Sequence, residues 1–402
     1  MNRRDFIKLG GLAALPLVGP KLAFGSNSAT SGRDVLVVVF QRGGADGLNI
    51  VAPWADGRYR DLRPTIAVPE PGAPGGVIDI DGYFGFHPSL APLLPAWEAG
   101  ELAVVHAAGS PDDTRSHFDA QDYMDRGAIG KGSVFDGWLN RHVSGVPLES
   151  VQPFTAVGVG NSLPLSLQGS APAIGIDSID GFDLVAPGRA YEPLRKTLGD
   201  LYGGASALDA QASQVFSAVD VLQDALGGVA ETEAAFPQSA FGQQLAAVAS
   251  LIRADIGLEV ATVDIGGWDH HDQENAELPG LLEDFAASLA AFRDDLGADM
   301  GRVTVVTMTE FGRRAAENAS AGTDHGHASV MFALGQGVNG GQIHGEWPGL
   351  ENSALNRGDL EVTTDFRTVL ADVLQQRRGT ANVAALFPDF AGPTSAGLFL
   401  PR

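Results

Sequence analysis

The stretch Asp34-Val35-Leu36-Val37-Val38-Val39-Phe40 is followed, after one residue, by the glycine-rich loop Arg42-Gly43-Gly44-Ala45-Asp46-Gly47. Its continuous apolar, mostly β-branched character is typical of a strand that is buried on both faces of a parallel sheet. In open α/β sheets, ligands bind in the loops that follow the carboxyl ends of the strands. The segment therefore predicts an α/β protein with a functional loop after its first strand.

The order of strand, loop and helix recurs along the chain. Strands that alternate with helices of 10 to 20 residues form a mostly parallel sheet with helices on both faces, which is the fold class that we expect here. The predicted strands are 34–40, 102–106, 258–263, 303–308 and 329–334, and the predicted helices are 89–98, 241–254 and 278–296.

The middle of the chain has a weaker pattern. Turns that contain Pro and Gly are followed by Ala-rich helical sequence at 201–226. We expect 147–240 to form a helical cap or insertion within a single α/β domain that spans 26–402.

The amino terminus has the composition of an export signal. Asn2-Arg3-Arg4-Asp5-Phe6-Ile7-Lys8 precedes a mildly apolar stretch at 9–18 and then Ala23-Phe24-Gly25, a suitable cleavage site. This order predicts a twin-arginine signal at 1–25, the twin-arginine translocase as a partner, and a periplasmic or secreted protein. The alternative is an ordinary amphipathic first helix. The apolar stretch is too short for a permanent membrane span, which needs about 20 residues.

Charge and cysteine content exclude several functions. The net charge is −23, and it becomes −26 without 1–25, since that segment carries four basic residues and one acidic residue. Such an acidic chain does not bind nucleic acid, because that affinity comes from Lys and Arg. With no cysteine in the chain, disulfides and thiolate sites are excluded, so a metal would have to bind to His, Asp, Glu or Asn.

Polar clusters follow the predicted strands, and one topology would bring them to one edge of the sheet. Two clusters, Trp268-Asp269-His270-His271-Asp272 and Thr323-Asp324-His325-Gly326-His327, combine imidazoles with carboxylates. Such ligands suit zinc, calcium, magnesium or manganese, whereas the alternative for each cluster is a solvated loop or a cap. The candidate metal ligands are Asp46, Asp269, His271, Glu310, Asp324 and His325.

A second group of residues has the character of a reaction site. Thr114, Ser116 and His117 lie at the start of a predicted helix, where a hydroxyl activated by a metal and amide donors could act as a nucleophile. Capping of that helix is the alternative role of Ser116. Arg313 is a candidate anion clamp, as is Arg115, and the alternative for Arg313 is an internal ion pair with Glu310.

These motifs resemble the twin-arginine-exported bacterial family called domain of unknown function 1501 (DUF1501). The matching stretches, in order along the chain, are 43–49 (GGADGLN), 116–122 (SHFDAQD), 267–271 (GWDHH), 310–313 (EFGR) and 323–326 (TDHG).

That family in turn resembles the alkaline phosphatase and sulfatase superfamily. The resemblance implies that Asp46, Asp269, His271, Glu310 and His325 are metal ligands. It also implies that Ser116 is the nucleophile, with Thr114 as second choice. The chain departs from the superfamily at Glu310-Phe311-Gly312, where Asp-His-Gly is usual, which puts a two-metal site in doubt.

The resemblance implies an exported metal-dependent hydrolase of phosphate or sulfate esters, with an anionic small molecule or polymer as substrate. An alternative is a catalytically silent relative that serves as a binding or assembly partner of another exported protein. A metal-free Ser-His-Asp esterase ranks last, since the Gly-x-Ser-x-Gly turn is missing.

Overall fold

The structure is a computed structural model, which describes residues 33–400 except 131, 133, 147–151, 180–190, 205, 227–233 and 381. The predicted signal segment, 1–25, lies outside the described residues. No helix in the described part of the chain is long and apolar enough to cross a membrane.

The described residues form a nine-stranded central sheet and a small three-stranded one. The strands are β1 (Val35–Gln41), β2 (Val51–Ala52), β3 (Ile78–Asp79), β4 (Gly85–Phe86), β5 (Leu102–Gly109), β6 (Ala156–Val159), β7 (Ile174–Ile176), β8 (Val260–Ile265), β9 (Val303–Met308), β10 (Ser329–Leu334), β11 (Ile343–His344) and β12 (Thr364–Asp365). The central sheet has the order β11-β5-β10-β9-β1-β8-β6-β7, with β12 also paired to β5, and β2, β4 and β3 form the small sheet.

The central sheet is mostly parallel, as predicted. Strand β1 lies between β8 and β9 and is parallel to both, with Val39 opposite Val263 and Thr307. Strand β10 is the exception, because it is antiparallel to β5 and β9. Its first residue therefore lies at the edge of the sheet where β1, β5, β8 and β9 end. The loop that precedes β10 thus joins the loops that follow the parallel strands.

Helices cover both faces of the sheet. The helices are α1 (Gly47–Ile50), α2 (Gly57–Leu62), α3 (Leu94–Glu98), α4 (His117–Arg126), α5 (Trp138–Ser144), α6 (Tyr191–Leu201), α7 (Ala207–Leu226), α8 (Ala240–Arg253), α9 (Glu274–Leu296) and α10 (Phe366–Arg378).

The side chains of β1 alternate between two cores, as the period of two in a strand requires. Val37 and Val39 belong to a core that includes residues of α8 and α9. Leu36 and Val38 belong to a second core, on the other face, that includes residues of α5 and α10. The predicted α/β sheet with helices on both faces is therefore confirmed.

Two predicted elements differ from the structure. The helix expected at 89–98 is a 3₁₀ helix, Pro88–Leu93, followed by the short α3, because Pro92 inside the segment cannot donate an α-helical hydrogen bond. Part of the middle region, 147–240, lies in the central sheet rather than in a cap, since β6 pairs with β8 and β7 with β6. Helices α6 and α7 also lie in this region.

Candidate functional site

Three segments meet at the carboxyl edge of the central sheet. Asp269 and His271 lie in the loop after β8, His325 lies in the loop before β10, and His117 is the first residue of α4. His117, Asp269 and His325 each offer one ligand atom, and these atoms lie within 4.8 Å of one another. We call these four residues the His/Asp cluster.

His325 is at the centre of the His/Asp cluster. Its Nε2 atom lies 3.0 Å from Nε2 of His117 and 3.0 Å from Nε2 of His271. Oδ1 of Asp269 is 3.1 Å from Nε2 of His325 and also 3.1 Å from Nε2 of His271, while Oδ2 is 3.4 Å from Nε2 of His117. The ligand atoms of His117, Asp269 and His325 therefore converge, and Nε2 of His271 adjoins them through its contacts with His325 and Asp269.

The opposite nitrogen of each ring faces an acceptor. Nδ1 of His117 lies 2.8 Å from Oε1 of Glu310, and Nδ1 of His325 lies 2.8 Å from the carbonyl oxygen of Arg115. Nδ1 of His271 is 3.5 Å from Oδ1 of Asp324. Such acceptors keep the proton of a neutral imidazole on Nδ1, so that the lone pair of Nε2 is left for a ligand.

This arrangement fits a divalent metal. Four ligand atoms at 2.0 to 2.1 Å from a tetrahedral zinc ion are about 3.3 Å apart. The contacts in the His/Asp cluster are 3.0 to 3.4 Å long. Two bare Nε2 lone pairs at 3.0 Å repel each other, so each pair of rings needs either a shared proton or a shared cation. A metal ion would replace the protons that otherwise bridge the rings.

Glu310 contacts Nδ1 of His117, the ring nitrogen that faces away from the other imidazoles. Besides His117, its Oε1 atom accepts hydrogen bonds from the amide nitrogen of Gly43 at 2.9 Å and from Nε2 of Gln121 at 2.8 Å. Burial raises the pKa of Glu310, but the hydrogen bonds, that from His117 first, outweigh it, so the pKa is lowered overall. The hydrogen bond to Glu310 in turn raises the pKa of His117 above its usual 6.5. Glu310 therefore lies behind a candidate ligand rather than among the converging atoms.

The pKa values of His325 and Asp269 are determined by burial and by the nearby Arg313. Burial lowers the pKa of His325, which favours the neutral ring that a metal requires. Burial raises the pKa of Asp269, but the hydrogen bond from Arg313 reverses the shift and lowers it overall. Asp269 is therefore an anion at neutral pH.

Close packing fixes the loops around the His/Asp cluster. Gly43 has φ of +128°, and a Cβ atom there would lie 2.7 Å from the backbone nitrogen of Asp269, so only glycine lets the two loops touch. The ring of Phe311 lies 4.8 Å, centroid to centroid, from the rings of His117 and His325. The phenylalanine that departs from the superfamily pattern thus packs against two candidate ligands.

Asp46 lies outside the His/Asp cluster, which differs from the sequence expectation. Its carboxylate caps α1 and accepts two hydrogen bonds from Arg63, at 2.5 and 3.0 Å, where both side chains are buried. Burial raises the pKa of Asp46, and Arg63 lowers it by more. The carboxylate is thus already neutralised by a guanidinium, and this pairing cannot be predicted from the sequence because Arg63 lies in no motif.

Arg313 also differs from its predicted role as an anion clamp. Its guanidinium is buried and donates to Oδ1 of Asp269 at 2.5 Å and to the carbonyl oxygens of Gly43, Gly44, Trp268 and Thr323. Each of its three guanidinium nitrogens thus has an acceptor within the protein. Arg313 therefore links the loops around the His/Asp cluster by hydrogen bonds and does not face a ligand.

The candidate nucleophiles lie at the start of α4, beside His117. Ser116 caps the helix, and its Oγ atom accepts a long hydrogen bond, 3.4 Å, from the amide nitrogen of Asp119. Oγ1 of Thr114 is 3.4 Å from the amide nitrogen of Ser116. The capping alternative for Ser116 is thus present in the structure, and its hydroxyl keeps a proton that it can donate.

For three residues, His117, Gln121 and Arg63, the sequence does not predict the position that the structure shows. His117 was a catalytic candidate, yet it points Nε2 at His325 as a ligand would. Gln121 and Arg63 were not singled out. One signal was available for Gln121, which lies one helical turn after His117 and hence on the same face of α4.

A protein-family model described as "Protein of unknown function (DUF1501)" matches residues 83–374. The chain belongs to this family. The DUF1501 membership that the motifs predict is therefore confirmed, and no curated protein matches the chain.

Several solved structures are similar to this DUF1501 chain. The lipoteichoic acid synthase LtaP from Listeria monocytogenes is 9% identical, with 94% of this chain and 78% of that chain covered and a TM-score of 0.35. The periplasmic domain of EptC from Escherichia coli, in complex with Zn, is 10% identical, with coverage of 80% and 77% and a TM-score of 0.30. Alkaline phosphatase from the Antarctic bacterium TAB5 is 11% identical, with coverage of 77% and 94% and a TM-score of 0.27. With TM-scores this low, the similarities support no statement about function.

Proposed function

We propose that His117, His271, His325 and Asp269 bind one divalent metal ion, and that the chain is an exported metal-dependent hydrolase of phosphate or sulfate esters. The observation that carries the proposal is that the ligand atoms of His117, Asp269 and His325 lie within 4.8 Å of one another, with Nε2 of His271 3.0 Å from Nε2 of His325. Zinc suits this donor set best, because imidazole is a preferred ligand of zinc, whereas calcium and magnesium prefer oxygen.

The residues around the metal would have distinct tasks in this proposal. A bound zinc ion supplies a Lewis acid that polarises an ester and lowers the pKa of water. Glu310 and the Arg115 carbonyl orient His117 and His325 through their Nδ1 atoms. Ser116, or Thr114 as second choice, would be the nucleophile. Asp324 would orient His271 from 3.5 Å rather than bind the metal directly.

One observation favours the second candidate function, a catalytically silent binding or assembly partner. The arginines next to the His/Asp cluster are engaged by acidic groups: Arg313 binds Asp269, and Arg115 binds Asp359. An ester anion would therefore gain little from them, and its recognition would depend on the metal. A hydrolase that lacks a free arginine is slower with anionic substrates, so weak turnover on a broad panel is expected.

Metal content and turnover together test the proposal. The wild type, His325→Ala, and the control His344→Ala would be purified and loaded with zinc. We expect about one zinc per chain in the wild type and the control, and less than about a tenth of that in His325→Ala. Phosphate and sulfate ester hydrolysis should follow the zinc content, and Ser116→Ala should abolish it without loss of zinc.

Two results would contradict parts of this proposal. Equal zinc in His325→Ala and the wild type would disprove the site. Zinc without turnover of any ester would leave the silent-partner function in place of the hydrolase.

Export is a separate part of the proposal and depends on the segment 1–25. Replacement of Arg3 and Arg4 by lysine, in a cell that expresses the full chain, should retain the protein in the cytoplasm. Unchanged delivery to the periplasm or medium would show that the segment does not direct twin-arginine export.

A further inference from the structure

Phe118 is the most exposed large hydrophobic residue in the described part of the chain, with 90% of its surface open to solvent. It belongs to none of the three hydrophobic cores that the described residues form. Single exposed apolar residues are common on protein surfaces and need no explanation by themselves. Phe118 differs from such residues in its position, because it directly follows His117 in the first turn of α4.

The other polar and apolar residues of the stretch 116–122 have contacts within the protein that account for their positions. Ser116 caps α4, Ala120 is buried, and Gln121 donates a hydrogen bond to Glu310. The ring of Phe118 neither fills a core nor supports a loop. The packing of the protein therefore gives no reason for a large apolar side chain at this position.

Phe118 lies at the end of α4 that meets the His/Asp cluster. Consecutive Cα atoms are about 3.8 Å apart, and long side chains on an α-helix point toward its amino terminus. At this end of α4, Nε2 of His117 lies 3.0 Å from Nε2 of His325. The cluster is also open to solvent, since the side chains of His271 and Asp269 are 44% and 45% exposed. A ligand held at the cluster can therefore extend over the surface to Phe118.

The charged groups around the cluster leave the rest of a ligand without a partner. Arg313 binds Asp269, and Arg115 binds Asp359, so an ester anion would be attracted mainly by the metal. An apolar group attached to that anion would gain from contact with the ring of Phe118, because each surface removes the other from water. A second aromatic ring would gain more, since aromatic pairs also attract each other in offset-stacked or edge-to-face arrangements.

We propose that Phe118 selects esters in which the phosphate or sulfate is attached to an aromatic group, and that its ring packs against that group. This inference rests on the proposed function and names the substrate class of the same site. The metal would bind the anionic part of the ester, whereas Phe118 would distinguish an aromatic ester from an alkyl ester.

Two pairs of non-hydrolysable anions test the inference without turnover. Phenylphosphonate and methylphosphonate represent phosphate esters, and benzenesulfonate and methanesulfonate represent sulfate esters. Calorimetry would measure their binding to the zinc-loaded protein. In at least one pair, the aromatic anion should bind about tenfold more tightly than its methyl counterpart, as expected for partial burial of two apolar surfaces.

Two variants at exposed phenylalanines locate the effect. Phe118→Ala should bind the aromatic anion about as weakly as the methyl anion, with the affinity for the methyl anion and the zinc content unchanged. The control is Phe135→Ala, at a residue that is 78% exposed. Arg141 links the adjacent Asp136 to the carbonyl oxygen of Arg126, at the other end of α4. This control should keep the wild-type preference, and Phe118→Trp should also keep it.

Three outcomes would overturn the inference while zinc binding stands: no binding of any of the four anions, equal binding within both pairs by the wild type, or an aromatic preference that persists in Phe118→Ala. Loss of the preference in Phe135→Ala as well would place the aromatic contact away from Phe118 and would also overturn it. Absence of zinc from the wild type would contradict the proposed function itself, so the zinc content distinguishes the two failures.

Discussion

Two groups of charged residues lie near the same edge of the sheet. They differ in how deeply their side chains are buried and in whether each charge is paired with an opposite charge. The buried group comprises Asp46, Arg63 and Glu274, all at most 1% exposed. Arg63 neutralises Asp46, and burial next to Asp46 raises the pKa of Glu274 well above its usual value. The His/Asp cluster is partly open, with His271 and Asp269 side chains 44% and 45% exposed.

The difference indicates which group is structural. In the buried group every charge has its counter-charge, and Glu274 accepts hydrogen bonds from Asn49 at 2.7 Å and Thr323 at 3.2 Å. In the His/Asp cluster, the Nε2 atoms of His117 and His271 each lie 3.0 Å from Nε2 of His325, and two imidazole lone pairs at this distance repel each other. The buried group therefore needs no ligand, whereas the exposed cluster gains most from one.

The largest effect is expected in the buried group. Arg63→Met leaves the Asp46 carboxylate buried and unpaired, which should lower the free energy of unfolding by about 3 to 5 kcal/mol. The loss should be the same with zinc and with a chelator, as measured by urea unfolding. The control is Lys196→Met, which breaks an exposed ion pair with Asp200 and should leave stability unchanged. A loss that zinc restores would show that the two groups act as one.

A smaller effect, on zinc affinity, is expected for Glu310, which contacts Nδ1 of His117. Glu310→Gln keeps a hydrogen-bond acceptor but removes its charge, which should lower zinc affinity by about tenfold, as for other groups that orient a ligand. Competition with a chromophoric chelator would measure it. The control Glu317→Gln alters a carboxylate bound to Thr65 and should keep wild-type affinity. Unchanged affinity in Glu310→Gln would mean that His117 is not a ligand.

The sequence predicted the positions of the strands more accurately than the roles of the polar residues that follow them. Buried strands are continuous apolar runs, so β1, β9 and β10 were located to within one residue, and the family motifs marked Asp269, His271 and His325. Asp46 was misassigned because its partner, Arg63, comes from a segment without any motif. Which polar residue faces a ligand and which meets a counter-charge depends on contacts between distant loops, and these a single sequence does not specify.

The pH dependence of the metal-free protein should reflect the same His117–Glu310 pair. The folded pKa of His117 is raised above its usual 6.5, so its stabilising contribution is full below pH 6.5 and is lost as pH rises through the folded pKa. Glu310, whose pKa is lowered, contributes above its usual 4.5. The stability difference between wild type and Glu310→Gln should therefore be larger at pH 5.5 than at pH 8.5 in unfolding experiments with a chelator. An equal difference at both pH values would contradict the pairing.

The smallest effect is expected for Asp324. Its side chain is 61% exposed, and Oδ1 lies 3.5 Å from Nδ1 of His271, too far for a strong hydrogen bond. Asp324→Asn should change zinc affinity by less than about threefold, measured with the same chelator. A loss larger than that of Glu310→Gln would make Asp324 a direct ligand and would require a different geometry.

X-ray absorption at the zinc edge of the loaded wild-type protein tests the central claim most directly. The account predicts three imidazole nitrogens and at least one oxygen, at about 2.0 to 2.1 Å from the metal. A spectrum without imidazole scattering, or one that is identical in His325→Ala, would contradict it.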